Sequence, residues 1–180
     1  ETWDLIRQAP KLLLRTAIHP TVDELRARSV KFASYDSFYE QGDDFDAIYQ
    51  AIAEDVLQQA QTEAVVFAVP GSPMVAEKTV GLIRTGALAA GIPLAVLPGM
   101  SFFELLCNRW GIDPQQGLTL VDAMEGSSLQ PDLSTGLVVT QVFSRFVASE
   151  LKLSLMERLA DEAPVTVARH LGLPDESLSS

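Results

Sequence analysis

The stretch Val65–Ile83, VVFAVPGSPMVAEKTVGLI, decides how the chain is read. Its first half is an unbroken apolar, β-branched run, the pattern of a strand buried on both faces. Pro70-Gly71-Ser72-Pro73 then stops it, and Ala76, Val80, Ile83 and Ala87 recur at helical spacing over Met74–Ala90. Gly91 is placed to cap that helix at its carboxyl end. Strand, Pro-Gly turn and helix recur about one βαβ unit later. Leu94–Leu97 is a second short apolar strand, Pro98-Gly99 the turn, and Ser101–Trp110 the helix. The pattern predicts an α/β fold with a parallel sheet.

Working outward, Glu1–Ala9 reads as a helix closed by Pro10, and Lys11–Arg15 as an apolar strand. His19-Pro20-Thr21 makes a turn before a short helix, Val22–Arg28, and Phe32–Tyr35 reads as a brief strand. Gln41–Asp44 is an acidic loop. Asp43 or Asp44 caps a helix whose apolar face is Phe45, Ile48, Tyr49, Ile52 and Val56. Beyond Asp113 the composition shifts. Leu118–Val121, Leu137–Val142 and Val165–Ala168 are strand candidates, Glu125–Thr135 a polar loop, Phe146–Leu159 a helix, and Leu171–Ser180 a fraying end. This shift divides the chain into an amino-terminal lobe, 1–112, and a carboxyl-terminal lobe, 113–180.

The 47% hydrophobic content of the 180 residues suffices for a core. The formal charge of −11 lacks the basic footprint that nucleic acid or anionic lipid demands. The single Cys107 allows no internal disulfide, and it is expected as a small buried hydrophobe. No run approaches the roughly 18 apolar residues of a membrane span, and the start lacks a signal-peptide layout. A cytoplasmic location is the resulting expectation. His19 and His170 stand far apart, so no structural zinc site is expected and no metal ligand is assigned, the alternative being a magnesium site on one or two of the acids Glu40, Asp43, Asp44 and Asp46.

Two turns are candidate ligand loops, Pro70–Val75 and Pro98–Phe102. In open α/β sheets, ligands bind beyond the carboxyl ends of strands, where glycines admit close approach and helix starts offer N–H groups. The plainer reading is that such turns only join strand to helix. Neither a phosphate-binding loop nor a G-x-G-x-x-G fingerprint is present, nor a G-x-S-x-G elbow. The acids Glu40, Asp43, Asp44 and Asp46 read as a solvated loop and helix cap. Glu77 and Lys78 read as first-turn charges, and Arg145, Glu150 and Lys152 as helix-surface charges. The alternative for Arg145 is that it faces an acidic ligand, and for Thr140-Gln141 that they hydrogen-bond an adenine-like ring. No residue is assigned a catalytic role.

Four segments, in order, carry a resemblance: LLLRTAIHPTVDEL at 12–25, the opening stretch at 65–83, LPGMSFFELLCNRWGIDPQQGLTLVDA at 97–123, and LVVTQVFSRFVASELKLSLMERL at 137–159. Together they resemble the tetrapyrrole (corrin/porphyrin) methylase family, in the form found at the amino terminus of MazG-type nucleotide pyrophosphohydrolase proteins. The resemblance implies a two-lobed α/β fold with S-adenosylmethionine in the cleft between lobes, S-adenosylhomocysteine as product, and usually a homodimer. The implied activity is S-adenosylmethionine-dependent methyl transfer to a small molecule, in the family usually a tetrapyrrole.

The implied cofactor-binding residues are Pro70, Gly71, Ser72 and Val75, then Ser101 and Phe102, then Gln141 and Gly172. Ser72 departs from the family's Asp. The first strand with its glycine-rich loop is missing, the last strands are absent beyond Ser180, and no Glu-Glu-x-x-Glu metal motif of a pyrophosphohydrolase domain is present. The alternative implied by those departures is a catalytically degenerate binding or dimerisation module for such a hydrolase domain.

Overall fold

The computed structural model describes residues 2–42, 44–124 and 134–180. Two compact units emerge, Glu1–Met100 and Ser101–Ser180. The division by packing falls earlier than the composition shift, so the helix that follows Pro98-Gly99 packs with the second unit.

The first unit contains α1 (Thr2–Gln8), β1 (Lys11–Leu14), α2 (Thr21–Ala27), β2 (Ala33–Ser34), α3 (Asp36–Gln41), α4 (Phe45–Ala60), β3 (Val65–Ala68) and α5 (Lys78–Ala90). Its sheet is parallel in the order β2-β1-β3, with Leu13 opposite Ala33 on one side and Phe67 on the other. Side chains alternate across a strand, so β1 feeds two cores. Leu13 packs with Tyr35, Ile48, Ile52, Ala53, Val56 and Ile83 beneath α4 and α5. Leu12 and Leu14 pack with Val22 and Leu25 on the other face, backed by Trp3 and Ile6. The unit is thus a three-layer α/β/α arrangement with β1 at its centre.

Asp44 caps α4, its Oδ1 accepting from the N–H groups of Asp46 at 2.9 Å and Ala47 at 3.5 Å. The alternative cap, Asp43, lies outside the described residues. Helix α3, a turn and a half, fills the stretch between the suggested strand Phe32–Tyr35 and the suggested loop Gln41–Asp44. Asp36 at its start accepts from Thr16 Oγ1 at 2.6 Å and Ala17 N at 2.9 Å, just past β1, and from Ser34 Oγ of β2 at 2.7 Å.

The second unit holds α6 (Phe102–Trp110), the 3₁₀ turn Pro114–Gln116, β4 (Leu118–Asp122), β5 (Gly136–Thr140), α7 (Arg145–Met156), β6 (Val167–Arg169) and β7 (Ser177–Ser179). β4 and β5 pair in parallel, and β6 and β7 antiparallel. The polar stretch expected as a loop lies outside the described residues up to position 133. Among the described residues this unit buries little: Ser101 and Ala123 are its buried members, while Phe143 and Phe146 are exposed.

Four expectations need correction. Helix α5 begins at Lys78 rather than Met74, because Ala76 sits at φ 54° and breaks the helical path. Leu94–Leu97 forms no strand among the described residues: the sheet ends at β3, and a short apolar run without a hydrogen-bonded neighbour is not a ladder. The chain end does not simply fray, since Ser177–Ser179 pairs with β6. Cys107 is half-buried rather than buried.

Ile52 is wholly buried. Ile52→Ala is expected to cost about 2–5 kcal/mol, read as a lowered denaturant midpoint. Asp36 is a second test. Burial acts to raise its pKa, but hydrogen bonds from Thr16, Ala17 and Ser34 outweigh it and hold the carboxyl below its ordinary value. A depressed carboxylate stabilises the fold above its unfolded pKa, and that stability is lost as pH falls through the folded one. Acid unfolding is therefore expected to be shallower in Asp36→Asn, which loses about 1–3 kcal/mol at neutral pH.

Candidate functional site

In the first unit the carboxyl edge of the sheet gathers the ends of β1, β2 and β3. Arg15 N donates to Ala68 O at 2.9 Å, extending the β1–β3 pairing to the last residue before the Val69-Pro70 turn. Gly71 takes φ 73°, a left-handed conformation that glycine adopts without strain. Ser72 closes the turn twice: its Oγ accepts from Met74 N at 3.3 Å, and its carbonyl accepts from Val75 N at 3.2 Å. Pro70, Ser72 and Val75 are half-buried and Gly71 is exposed.

The second turn comes back onto the first. A Cβ built at Gly99 would lie 2.4 Å from Gly71 O and 3.5 Å from Ser72 Cα. Real Cβ atoms do not approach backbone so closely, so the two turns touch main chain to main chain only because position 99 has no side chain. Within the first unit, the Gly71-Ser72 turn and Gly99 therefore form one surface.

An ion pair closes the end of the first turn. Glu77 has a side chain 6% exposed, and its Oε2 lies 3.2 Å from Arg15 Nε. The Arg15 guanidinium lies 5.7 Å from the centre of the Tyr39 ring. Burial pushes the Glu77 carboxyl above its ordinary value, with Arg15 pulling against it. Burial acts to lower Arg15, but Glu77, with Tyr39 and Tyr49, outweighs it and leaves the guanidinium above its ordinary value. The next residue, Lys78, reaches Asp46 at 2.6 Å, an exposed pair of the kind that contributes little. Sequence reasoning missed the Arg15–Glu77 pair. Its one signal is an Arg that ends an otherwise apolar strand.

In the second unit, Ser101 and Phe102 open α6. Ser101 is the cap: its Oγ accepts from Phe103 N at 3.1 Å, while Glu104 Oε2 accepts from Ser101 N at 2.8 Å and from Ser101 Oγ at 2.5 Å. That reciprocal box satisfies two orphan donors. The Ser101 hydroxyl, with the backbone donors, holds Glu104 below the ordinary carboxylate value.

Gln141 follows β5 with φ 61°, an uncommon conformation for a residue with a side chain. Thr140 Oγ1 donates to Val121 O at 3.1 Å and so ties that strand end to β4. Gly172 has φ 80°, and a Cβ there would come 2.8 Å from Leu105 Cδ1 of α6. Its N–H donates to Glu176 Oε2 at 2.7 Å, and Glu176 takes two hydrogen bonds from Arg109 at 2.6 and 3.1 Å. Gly172 is thereby fastened to α6. Arg145 is exposed at the start of α7.

The family described as Tetrapyrrole (Corrin/Porphyrin) Methylases matches residues 1–179, and the chain belongs to it. The uncharacterized protein YabN of Bacillus subtilis (strain 168) is 37% identical over 174 residues. That match covers 97% of this chain but 36% of YabN, so the chain spans about a third of that relative's length. Three solved structures share the fold. A uroporphyrin-III C-methyl transferase from Thermus thermophilus, complexed with S-adenyl homocysteine, has a TM-score of 0.64 at 22% identity, covering 98% of this chain and 78% of that one. A diphthine synthase has a TM-score of 0.66 at 14% identity, covering 97% and 72%. A cobalt precorrin-4 methyltransferase has a TM-score of 0.62 at 13% identity, covering 98% and 75%. Two of these three are methyltransferases by name, and the mixed α/β fold is shared with all three. Among the described residues no helix is long and apolar enough to cross a membrane.

Ala76→Gly is expected to be neutral or to raise the unfolding midpoint slightly, since it relieves a left-handed residue costing about 1 kcal/mol. Gly99→Ala is expected to lower it and to shift the backbone amide signals of both turns, because the 2.4 Å approach has to open.

Proposed function

We propose that the chain is an S-adenosylmethionine-dependent methyltransferase domain of the tetrapyrrole methylase type. The observation that carries this reading is the backbone contact between Gly71 and Gly99 at the carboxyl edge of the parallel sheet. A single main-chain surface there suits a ligand recognised by shape and backbone groups rather than by charged side chains. Family membership supports the reading, as does the likeness to an enzyme whose structure holds S-adenyl homocysteine.

The residues that would hold the cofactor are Pro70, Gly71, Ser72 and Val75 in the first unit, and Ser101, Phe102, Gln141 and Gly172 in the second. The bound cofactor supplies an activated methyl group on a sulfonium. What the protein must then provide is alignment and exclusion of water, with little acid–base chemistry. The Gly71 and Gln141 conformations and the capped start of α6 pre-set the backbone for this task. The acceptor in this proposal is a small molecule of the tetrapyrrole kind. The assembly is a homodimer in the cytoplasm, joined to or fused with a MazG-type pyrophosphohydrolase domain, the arrangement suggested by the sequence resemblance.

A second reading is favoured by Ser72 alone: a degenerate module that keeps the fold and has surrendered methyl transfer. Calorimetric titration with S-adenosylhomocysteine separates the two. A dissociation constant near 1 μM, about −8 kcal/mol, is expected, weakened at least tenfold by Gly71→Val. Absence of binding by both calorimetry and thermal shift rejects the methyltransferase and leaves the module.

A further inference from the structure

We propose that Arg15 is a positioning residue for the proposed cofactor site: its ion pair with Glu77 clasps the Pro70–Glu77 segment to the end of β1 and holds the Gly71–Gly99 surface in its ligand-ready form. The proposal rests on the methyltransferase reading and adds to it a residue outside the set proposed to touch the cofactor.

The segment is fixed at its start by β3 and at its end by α5. Between them it contains an exposed glycine, two prolines and a left-handed alanine, none of which is held by a buried apolar side chain of its own. A non-glycine residue at φ 54° persists only where its surroundings over-determine it. Glu77 is the residue next to Ala76. Its nearly buried carboxylate is met by Arg15 at 3.2 Å. Arg15 is held in turn by its own backbone bond to Ala68 O and by the face of Tyr39. The pair therefore joins the two ends of the turn: Ala68, where it leaves the sheet, and Glu77, where it enters the helix. Two charges partly withdrawn from water are costly unless they meet each other, so removing either takes away the other's counter-charge and releases the segment.

The Lys11–Glu63 pair, 2.9 Å apart, joins the start of β1 to the residues leading into β3 at the opposite edge of the sheet and serves as the control. The experiment follows hydrogen exchange by mass spectrometry in the unliganded full-length protein and S-adenosylhomocysteine affinity by calorimetry. Wild type is compared with Arg15→Met, Glu77→Gln, the double variant, Arg15→Lys and Lys11→Met.

Arg15→Met and Glu77→Gln are expected to speed exchange across residues 70–78 at least tenfold, to leave α4 protected, and to weaken the ligand at least tenfold. The double variant is expected to be no worse than the single ones. Arg15→Lys, which keeps the charge, is expected to recover most of both, and Lys11→Met to change neither. Unchanged exchange in Arg15→Met and Glu77→Gln overturns the clasp. So does a uniform rise that includes α4, which is what a general packing role produces. Faster exchange with unchanged affinity overturns the positioning role. If wild type binds no S-adenosylhomocysteine, the methyltransferase reading and the ligand-positioning role both fail. The exchange arm still decides the clasp.

Discussion

Strand β1 has no solvent-facing side. Leu12, Leu13 and Leu14 are all buried, and they point alternately into two separate cores. A strand covered on both faces has to be central, and central parallel strands have to be reached by crossover helices. The rest of the first unit follows. Helices α1 and α2 cover one face and α4 and α5 the other, and all three strands end on the same edge. Because the strands are parallel, every strand-to-helix turn in the unit opens at that edge. The polar residues directly after the leucines, Arg15 and Thr16, meet the turn after β3 and the Asp36 start of α3 there. The candidate site is a consequence of the core, placed where the apolar runs stop.

Much of this was legible from pattern alone. The Val65–Ala68 run, the Pro-Gly-Ser-Pro stop, the Phe45–Val56 stripe and the Asp44 cap each encode their own local structure, because burial and capping leave periodic or positional marks. What was illegible depends on pairs. Nothing local in Gly99 says that it faces Gly71, and nothing in Glu77 says that it is buried rather than facing solvent. The start of α5 was misplaced because apolar spacing continues through Ala76, whose left-handed backbone no composition rule anticipates. Leu94–Leu97 and Ser177–Ser179 fail in opposite directions for one reason. A strand exists by having a partner, so the apolar run without one stays unpaired, while the polar one beside β6 becomes a strand.

The two units differ in how they hold their shape. The first has two apolar clusters around β1. The second relies more visibly on polar fasteners, notably the Ser101–Glu104 box and the Arg109–Glu176–Gly172 chain. The exposed links of such a network contribute modestly and locally. They fix directions rather than supplying bulk stability. This is what Gly172 requires, since its position against Leu105 is a matter of orientation.

Ser72 bears on how much the turn needs a carboxylate. Its hydroxyl performs the turn-closing task of an acidic side chain, accepting from the N–H two residues on, but at 3.3 Å and without charge. A charged acceptor makes the shorter and roughly twice stronger bond. The serine turn is accordingly held less from within. The Arg15–Glu77 pair, at the far end of the same segment, supplies the fixed point from without. In the proposed site, a cofactor that brings its own activated methyl group would ask the protein for a backbone surface in one conformation, and that conformation can be secured at either end of the loop. With serine rather than an acid at position 72, the turn lacks one possible fastening and keeps both the Gly71–Gly99 contact and the pair that closes the loop.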